Sequence, residues 1–244
     1  MDAADTIRQC IAQVTLLRQQ RSADPPLGQA VQAVKELQST RFRGSYADLL
    51  QSDTYAPAAQ FFLAELYGSS DYAARDAQFG RIAGTLQTLF PRPVVAMAVA
   101  LAELHQHTEQ LDHAMGALWR QADGDAPARY VAAWKGVGQP QARQGQLASV
   151  LAMGRDLARL TAKPGLRTML HMMRGPARAA GLGELQRFLE AGFDTFGQLV
   201  RTRGAVESFL ATIEEREAAL MAQLFDAPAV ACGTTLRQTL GQAR

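Results

Sequence analysis

Lysine is nearly missing from this sequence: Lys35, Lys135 and Lys163 are the only three among 25 basic side chains. Arginine forks carboxylates and phosphates better than lysine does, but heavy arginine and alanine use equally fits the codon bias of a GC-rich genome. Cysteine is just as sparse. Cys10 and Cys232 lie near opposite ends, outside any CxxC or CxxCH context, which excludes a disulfide framework, a zinc ribbon and c-type haem attachment. Long apolar runs are absent too. The longest, VVAMAVALA at 94–102, falls far short of the roughly 18 residues of a membrane span. The opening MDAADTIRQC lacks the basic and apolar regions of a secretory signal. These absences lead us to expect a cytoplasmic protein with reduced thiols and no membrane partner.

No sign of charge dominates the 244 residues. Lys+Arg number 25 and Asp+Glu 23, a net +2, and the only tight basic clusters are Arg41-Phe42-Arg43 and Arg201-Thr202-Arg203. That footprint is too small to support a nucleic-acid partner. A hydrophobic content of 48% excludes a disordered chain and supplies a core.

What is present is helical periodicity. Ile7, Cys10, Val14 and Leu17 step by three and four, and Leu27, Val31, Val34 and Leu37 repeat the pattern after Asp24-Pro25-Pro26. Pro57 opens AAQFFLAELY, with Gly68 as a C-cap and Ser69-Ser70-Asp71 as a new N-cap. Tyr72, Phe79, Ile82, Leu86 and Leu89 then run to Pro91. Residues 94–121 predict a helix about 40 Å long; its first third is apolar all round, which suits a bundle centre. Shorter helices are expected over 130–137, 147–160 and 166–173. Leu185, Leu189, Phe193, Phe196 and Leu199 form a strong stripe, and Val206, Phe209, Leu210, Ile213, Leu220 and Leu224 form the last. Strand alternation is absent. The expectation is an all-α bundle of nine or ten helices around 94–121, spanning 1–225 with a possible sub-boundary at 122–127. Residues 226–244 read as a loose polar tail.

FFLAELYG (61–68), followed by Tyr72, Arg75-Asp76 and Arg81, then ELxxxxEQLDxAM (103–115), LQRFLEAGFDTF (185–196) and FLATIEERE (209–217), resembles a family of uncharacterised all-helical proteobacterial proteins. The resemblance covers most of the chain. It implies the helical fold and a bacterial setting, and it assigns no catalytic residue.

GxSxG, Walker A, HExxH and a complete GxGxxG are all absent, and no Glu has a His three residues later, which removes the di-iron carboxylate bundle. Three of the four histidines lie in ELHQHTEQLDH. His105, Glu109 and His113 share a stripe at i, i+4, i+8, and imidazole with carboxylate suits zinc or iron. On a helical wheel that stripe leans toward solvent unless another helix covers it, so exposed Glu–His pairs are the simpler explanation.

Glu65 sits among Phe61, Phe62, Leu63 and Leu66. A buried carboxylate must find a partner or keep its proton, and Arg75 and Arg81 are the nearest cations in sequence. Two alternatives stand: a structural Glu–Arg clasp, or a small-ligand pocket of Glu65, Tyr67, Arg75, Asp76, Arg81 and Glu103. His171, between Met169, Met172 and Met173, offers a haem ligand, though methionines more often fill core gaps.

Two function classes follow. The first is a non-enzymatic bundle acting through a protein partner or homo-oligomer, using the Phe193/Phe196 and Phe209/Ile213/Leu220 faces. The second is a small-ligand, metal or haem-binding protein. No complete catalytic geometry can be written, and no cofactor is favoured; iron or haem belongs to the second class.

Overall fold

A computed structural model describes residues 2–65 and 72–243, the side chain of Leu89 excepted. Among the described residues there are thirteen helices and no strand. They are α1 (Ala3–Ala23), α2 (Pro25–Ser45), α3 (Ala47–Leu50), α4 (Ala56–Glu65), α5 (Ala73–Leu89), α6 (Arg92–Trp119) and α7 (Ala126–Val137). Then follow α8 (Pro140–Thr161), α9 (Leu166–Met172), α10 (Arg174–Ala179), α11 (Gly183–Leu199), α12 (Ala205–Asp226) and α13 (Ala229–Gly241). The all-α expectation holds. None of these helices is long and apolar enough to cross a membrane. The expected caps at Gly68 and Ser69-Ser70-Asp71 lie outside the described residues.

Local chemistry sets the helix starts. The Asp2 carboxylate accepts from Asp5 N at 2.8 Å, and Asp125 accepts from Ala128 N at 3.0 Å. Asp24 accepts from Leu27 N with Pro25 in the first turn, so the residues that end α1 also begin α2. Basic side chains close two helix ends. Arg129 donates twice to Trp119 O at the end of α6, and Lys135 donates to Phe225 O and Ala227 O at the end of α12. Each satisfies carbonyls that have no intrahelical donor.

The long helix α6 is central, touching α1, α2, α5, α7 and α8. Its buried part is not the one expected. Within the all-apolar stretch 94–102 only Ala102 is buried, whereas Leu104, Glu109, Leu111, Asp112, Met115, Gly116 and Trp119 are all buried further on. α1 packs on Ala98, Val99 and Ala102 and again at Glu109, and α2 adds its cover at Glu109, Met115 and Gly116, so contact decided burial where composition pointed elsewhere. Beside it, α7 packs on α6 and α13, across the possible sub-boundary at 122–127.

Three apolar clusters fill the bundle. One joins the end of α2 to α4, α8, α11 and α12 around Phe42, Phe62, Phe196, Phe209 and Ile213. A second joins α2, α6, α7, α12 and α13 around Met115, Tyr130, Trp134 and Leu224. The third joins α1, α5 and α6 around Ile7, Phe79 and Ala102.

The loose tail expected over 226–244 is corrected by α13. Cys232 and Leu236 are buried in the second cluster, with Leu240 packed against it, a four-residue spacing that fits one helix face. The helix lies so near α2 that a Cβ built on Gly44 would stand 1.9 Å from Thr239 O. Gly116 allows a similar approach, since a Cβ there would meet Val31 Cγ2 at 2.4 Å. Gly44→Ala must push α13 away or distort it, and we expect a loss of about 1–3 kcal/mol. Gly145→Ala, exposed on α8 with nothing within 4 Å of the new methyl, should gain about 0.5–1 kcal/mol from helix propensity. Urea unfolding of the two variants checks both signs, and a Gly44→Ala protein as stable as its parent would refute the close packing of α13.

Candidate ligand-binding site

Charged residues that share an apolar stripe end up inside. Val34, Leu37 and Arg41 step along α2, and Ile213, Glu217 and Leu220 along α12. The two charges meet: Arg41 Nη1 donates to Glu217 Oε1, and Tyr46 Oη donates to the same oxygen at 2.8 Å. Both Arg41 and Glu217 are buried.

A second cluster is built on α6. Glu109 is 3% exposed and is held by Arg21 Nη1 of α1 at 2.7 Å and by Lys35 Nζ of α2. Burial pushes its carboxyl up, but the charges and hydrogen bonds of Lys35 and Arg21 outweigh that and hold it at about 2. One turn on, Asp112 accepts from Gln38 Nε2 at 3.2 Å. Burial pushes its carboxyl up and the Glu109 charge adds to this, with Lys35 and Arg143 only partly opposing. Two neighbouring carboxyls are thus driven in opposite directions.

Toward α5 lies the third cluster. Asp76 pairs with Arg18 and lies 2.8 Å from His105 Nε2. Burial alone would raise its carboxyl, yet His105 and Arg18 bring it below the usual value. Arg75 Nη1 donates to Glu65 Oε2 at 2.8 Å, and its guanidinium lies 4.0 Å from the Tyr72 ring centre and 4.9 Å from that of Phe188.

These clusters surround an interior cavity of about 100 Å³. Lys35, Gln38, Arg41, Glu65, Arg75, His105, Glu109, Asp112 and Glu217 line it together with Tyr130, Trp134, Arg143 and Gln146. The buried Arg143 guanidinium lies 4.2 Å from the Trp134 ring centre. Trp134 is itself 6% exposed, and its Nε1–H has no hydrogen-bond partner among the described residues. A buried donor left without an acceptor costs roughly 1–3 kcal/mol.

The expected pocket residues are only partly brought together. Glu65 and Arg75 line the cavity, and Asp76 stands just behind His105, a metal candidate that also lines it. The Glu65–Arg75 pair forms, but at 24% and 13% side-chain exposure it lies shallower than the flanking phenylalanines suggest. Arg81 is exposed and reaches Gly181 O at 3.5 Å, while Glu103 is exposed on α6. Tyr67 lies outside the described residues.

Nor do the metal candidates gather. His105 faces Asp76, Glu109 is enclosed by two cations, and His113 Nδ1 is buried with no hydrogen-bond partner. Among the described residues no group of three His, Cys, Asp or Glu side chains could hold a metal ion. The solvent-facing lean of this stripe is corrected for Glu109, because α1 and α2 cover it. His171 lies 3.8 Å from Asp194. Met172 and Met173 are exposed and fill no core gap; only Met169 of that group lines a cavity.

Residues 17–230 match a family described as a domain of unknown function (DUF8198). The chain belongs to that family. This bears out the resemblance to an uncharacterised family at the level of the family itself. Neither a curated protein nor a solved structure matches the chain. Every residue lining the polar cavity falls within the DUF8198 span.

Most of the cavity's residues went unmarked as site candidates, among them Lys35, Arg41, Asp112, Trp134, Arg143 and Glu217. A signal for Arg41 and Glu217 exists in their stripe positions. None exists for Trp134 or Arg143, which are brought together by the turn between α7 and α8.

The opposed carboxyls give a paired test. Glu109→Gln strands Lys35 and Arg21 in a poorly solvated site and should cost about 3–5 kcal/mol at pH 7. Asp112→Asn keeps the Oδ1 acceptor and removes a disfavoured charge, so stability should be unchanged or higher. Because Glu109 titrates lower in the folded protein, its contribution is complete above its ordinary value of 4.5 and is lost as pH falls toward about 2. The gap between parent and Glu109→Gln should therefore close in acid. Equal stability of the two at pH 7 would refute the triad.

Proposed function

We propose that this chain is a ligand-binding helical protein whose polar cavity takes a small monocarboxylate. The reading rests on the donors that line the cavity, above all the Trp134 Nε1–H with no acceptor of its own. A carboxylate placed there accepts from Trp134 and from the Arg143 guanidinium stacked on it. Such charge-assisted hydrogen bonds are about twice as strong as neutral ones.

The charged lining is evenly matched and does not oppose an anion. Lys35, Arg41, Arg75 and Arg143 line the cavity against Glu65, Glu109, Glu217 and Asp112, and burial moves Asp112 toward its neutral form. The phenol of Tyr130 is also pushed up by burial, so it stays a neutral donor. A monoanion there meets the Trp134 and Tyr130 donors beside the Arg143 guanidinium.

We read the protein as bacterial and cytoplasmic, with Cys10 and Cys232 reduced, and with any protein partner or second copy meeting its outer surface. The contact-based role draws less support. Phe196, Phe209 and Ile213 are fully buried inside the bundle, and Phe193 lines an internal cavity.

Thermal melts with acetate, propionate and butyrate test the reading. A ligand bound only by the folded state raises Tm with concentration, and about 10 mM suffices for a site of roughly millimolar affinity. Trp134→Phe keeps the ring and removes the N–H, so it should weaken binding about tenfold or more. The absence of any Tm rise in the parent, or undiminished affinity in Trp134→Phe, would overturn the proposal.

A further inference from the structure

A second cavity of similar size lies beside the polar one and differs from it in the chemistry of its walls. It has a volume of about 120 Å³, opens among α4, α5, α6, α8, α9 and α11, and is lined, among the described residues, by apolar side chains and glycine. Phe61, Met97, Met153, Leu157, Phe188 and Phe193 form much of its wall. Gly192 lets the Phe61 ring lie close against α11, since a Cβ there would stand 3.2 Å from Phe61 Cζ. A cavity with no polar wall stays dry, and one near 150 Å³ takes a six-carbon ring.

The two cavities share wall residues. Leu101 and Val150 line both. A small void of about 10 Å³ adjoins them, bounded by Phe79, Leu101 and Phe188 on the apolar side and by Arg75 and His105 on the polar side. Arg75 is stacked on Phe188 at this border. Charge and hydrocarbon wall therefore meet across one layer of side chains.

We propose that the ligand is a straight-chain amphipathic monocarboxylate, its head in the polar cavity and its tail parting the Leu101 and Val150 side chains of the shared wall to enter the apolar one. This rests on the monocarboxylate reading of the polar cavity and adds the tail. No covalent step is involved. Each methylene that enters the dry cavity is withdrawn from water without losing a hydrogen bond, which raises affinity roughly fourfold. The cavity volume limits the effect to a tail of about six carbons.

The test is a series of straight-chain carboxylates from acetate to decanoate, each below its micelle concentration, measured by Tm shift and calorimetry on the full chain. Affinity should rise about fourfold per methylene once the tail passes Leu101, then level off. Ala98→Phe and, independently, Met153→Phe place a ring in the apolar cavity. Whichever variant keeps the parental circular dichroism spectrum should flatten the series to the affinity of its shortest members. Short carboxylates that bind with no gain from length would overturn the tail and leave the polar site standing. Failure of the whole series would overturn both. Alkanols that bind as tightly as carboxylates of equal length would overturn the shared ligand, because the head would then contribute nothing.

Discussion

A carboxylate taken out of water has to be given positive charge, and in this bundle that requirement holds three helices in register. Glu109 on α6 receives Arg21 from α1 and Lys35 from α2, and the turn at Asp24-Pro25 fixes how those two helices diverge. Sliding any one of the three along its axis would strand at least one charge. Packing alone is less demanding, since apolar side chains tolerate many volume-conserving rearrangements. The same rule acts at Arg41–Glu217, where α2 is tied to α12, and at Asp76, where α1, α5 and α6 meet.

Those ties also explain why a polar cavity survives inside a helical bundle. Buried ion pairs keep their surroundings open, because closing on them would press apolar atoms against groups that need donors or acceptors. The apolar cavity has a different origin. Several of its walls are long or aromatic residues on short helices, α9 among them, and large rings cannot fill a tapering space completely. Interiors are otherwise close-packed, so two such spaces sharing a wall depart from a simple bundle core.

The fold was legible wherever an apolar residue recurred every third or fourth position, which is why α1, α2, α5, α11 and α12 were foreseeable. Burial was legible less often. The stretch 94–102 is the most apolar in the chain yet only Ala102 in it is buried, whereas Glu109 and Asp112 are buried beneath Arg21 of α1 and Lys35 and Gln38 of α2. The helix α13 was missed because its core face rests on Cys232 and Leu236 among small and polar residues. Its packing depends on Gly44, nearly 200 positions earlier. For the site, periodicity carried Arg41 and Glu217, each occupying an apolar position on its own helix. Nothing local marks Trp134 or Arg143. Their importance comes from the fold of the chain across Gly138 and Gln139, both at positive φ, which brings the Arg143 guanidinium onto the Trp134 ring.

The contact between α2 and the last helices also carries a cost in time. Arg41 waits for Glu217, 176 positions later, and Gly44 waits for Thr239. At a synthesis rate of about 5–20 residues per second, the guanidinium of Arg41 spends roughly 10–35 s on a ribosome-bound chain before its carboxylate exists. Throughout that interval the inner face of α2, with Val34, Leu37 and Phe42, is without α12 and α13. The newborn N-terminal half therefore presents, for tens of seconds, the kind of sticky surface that chaperones are built to shield.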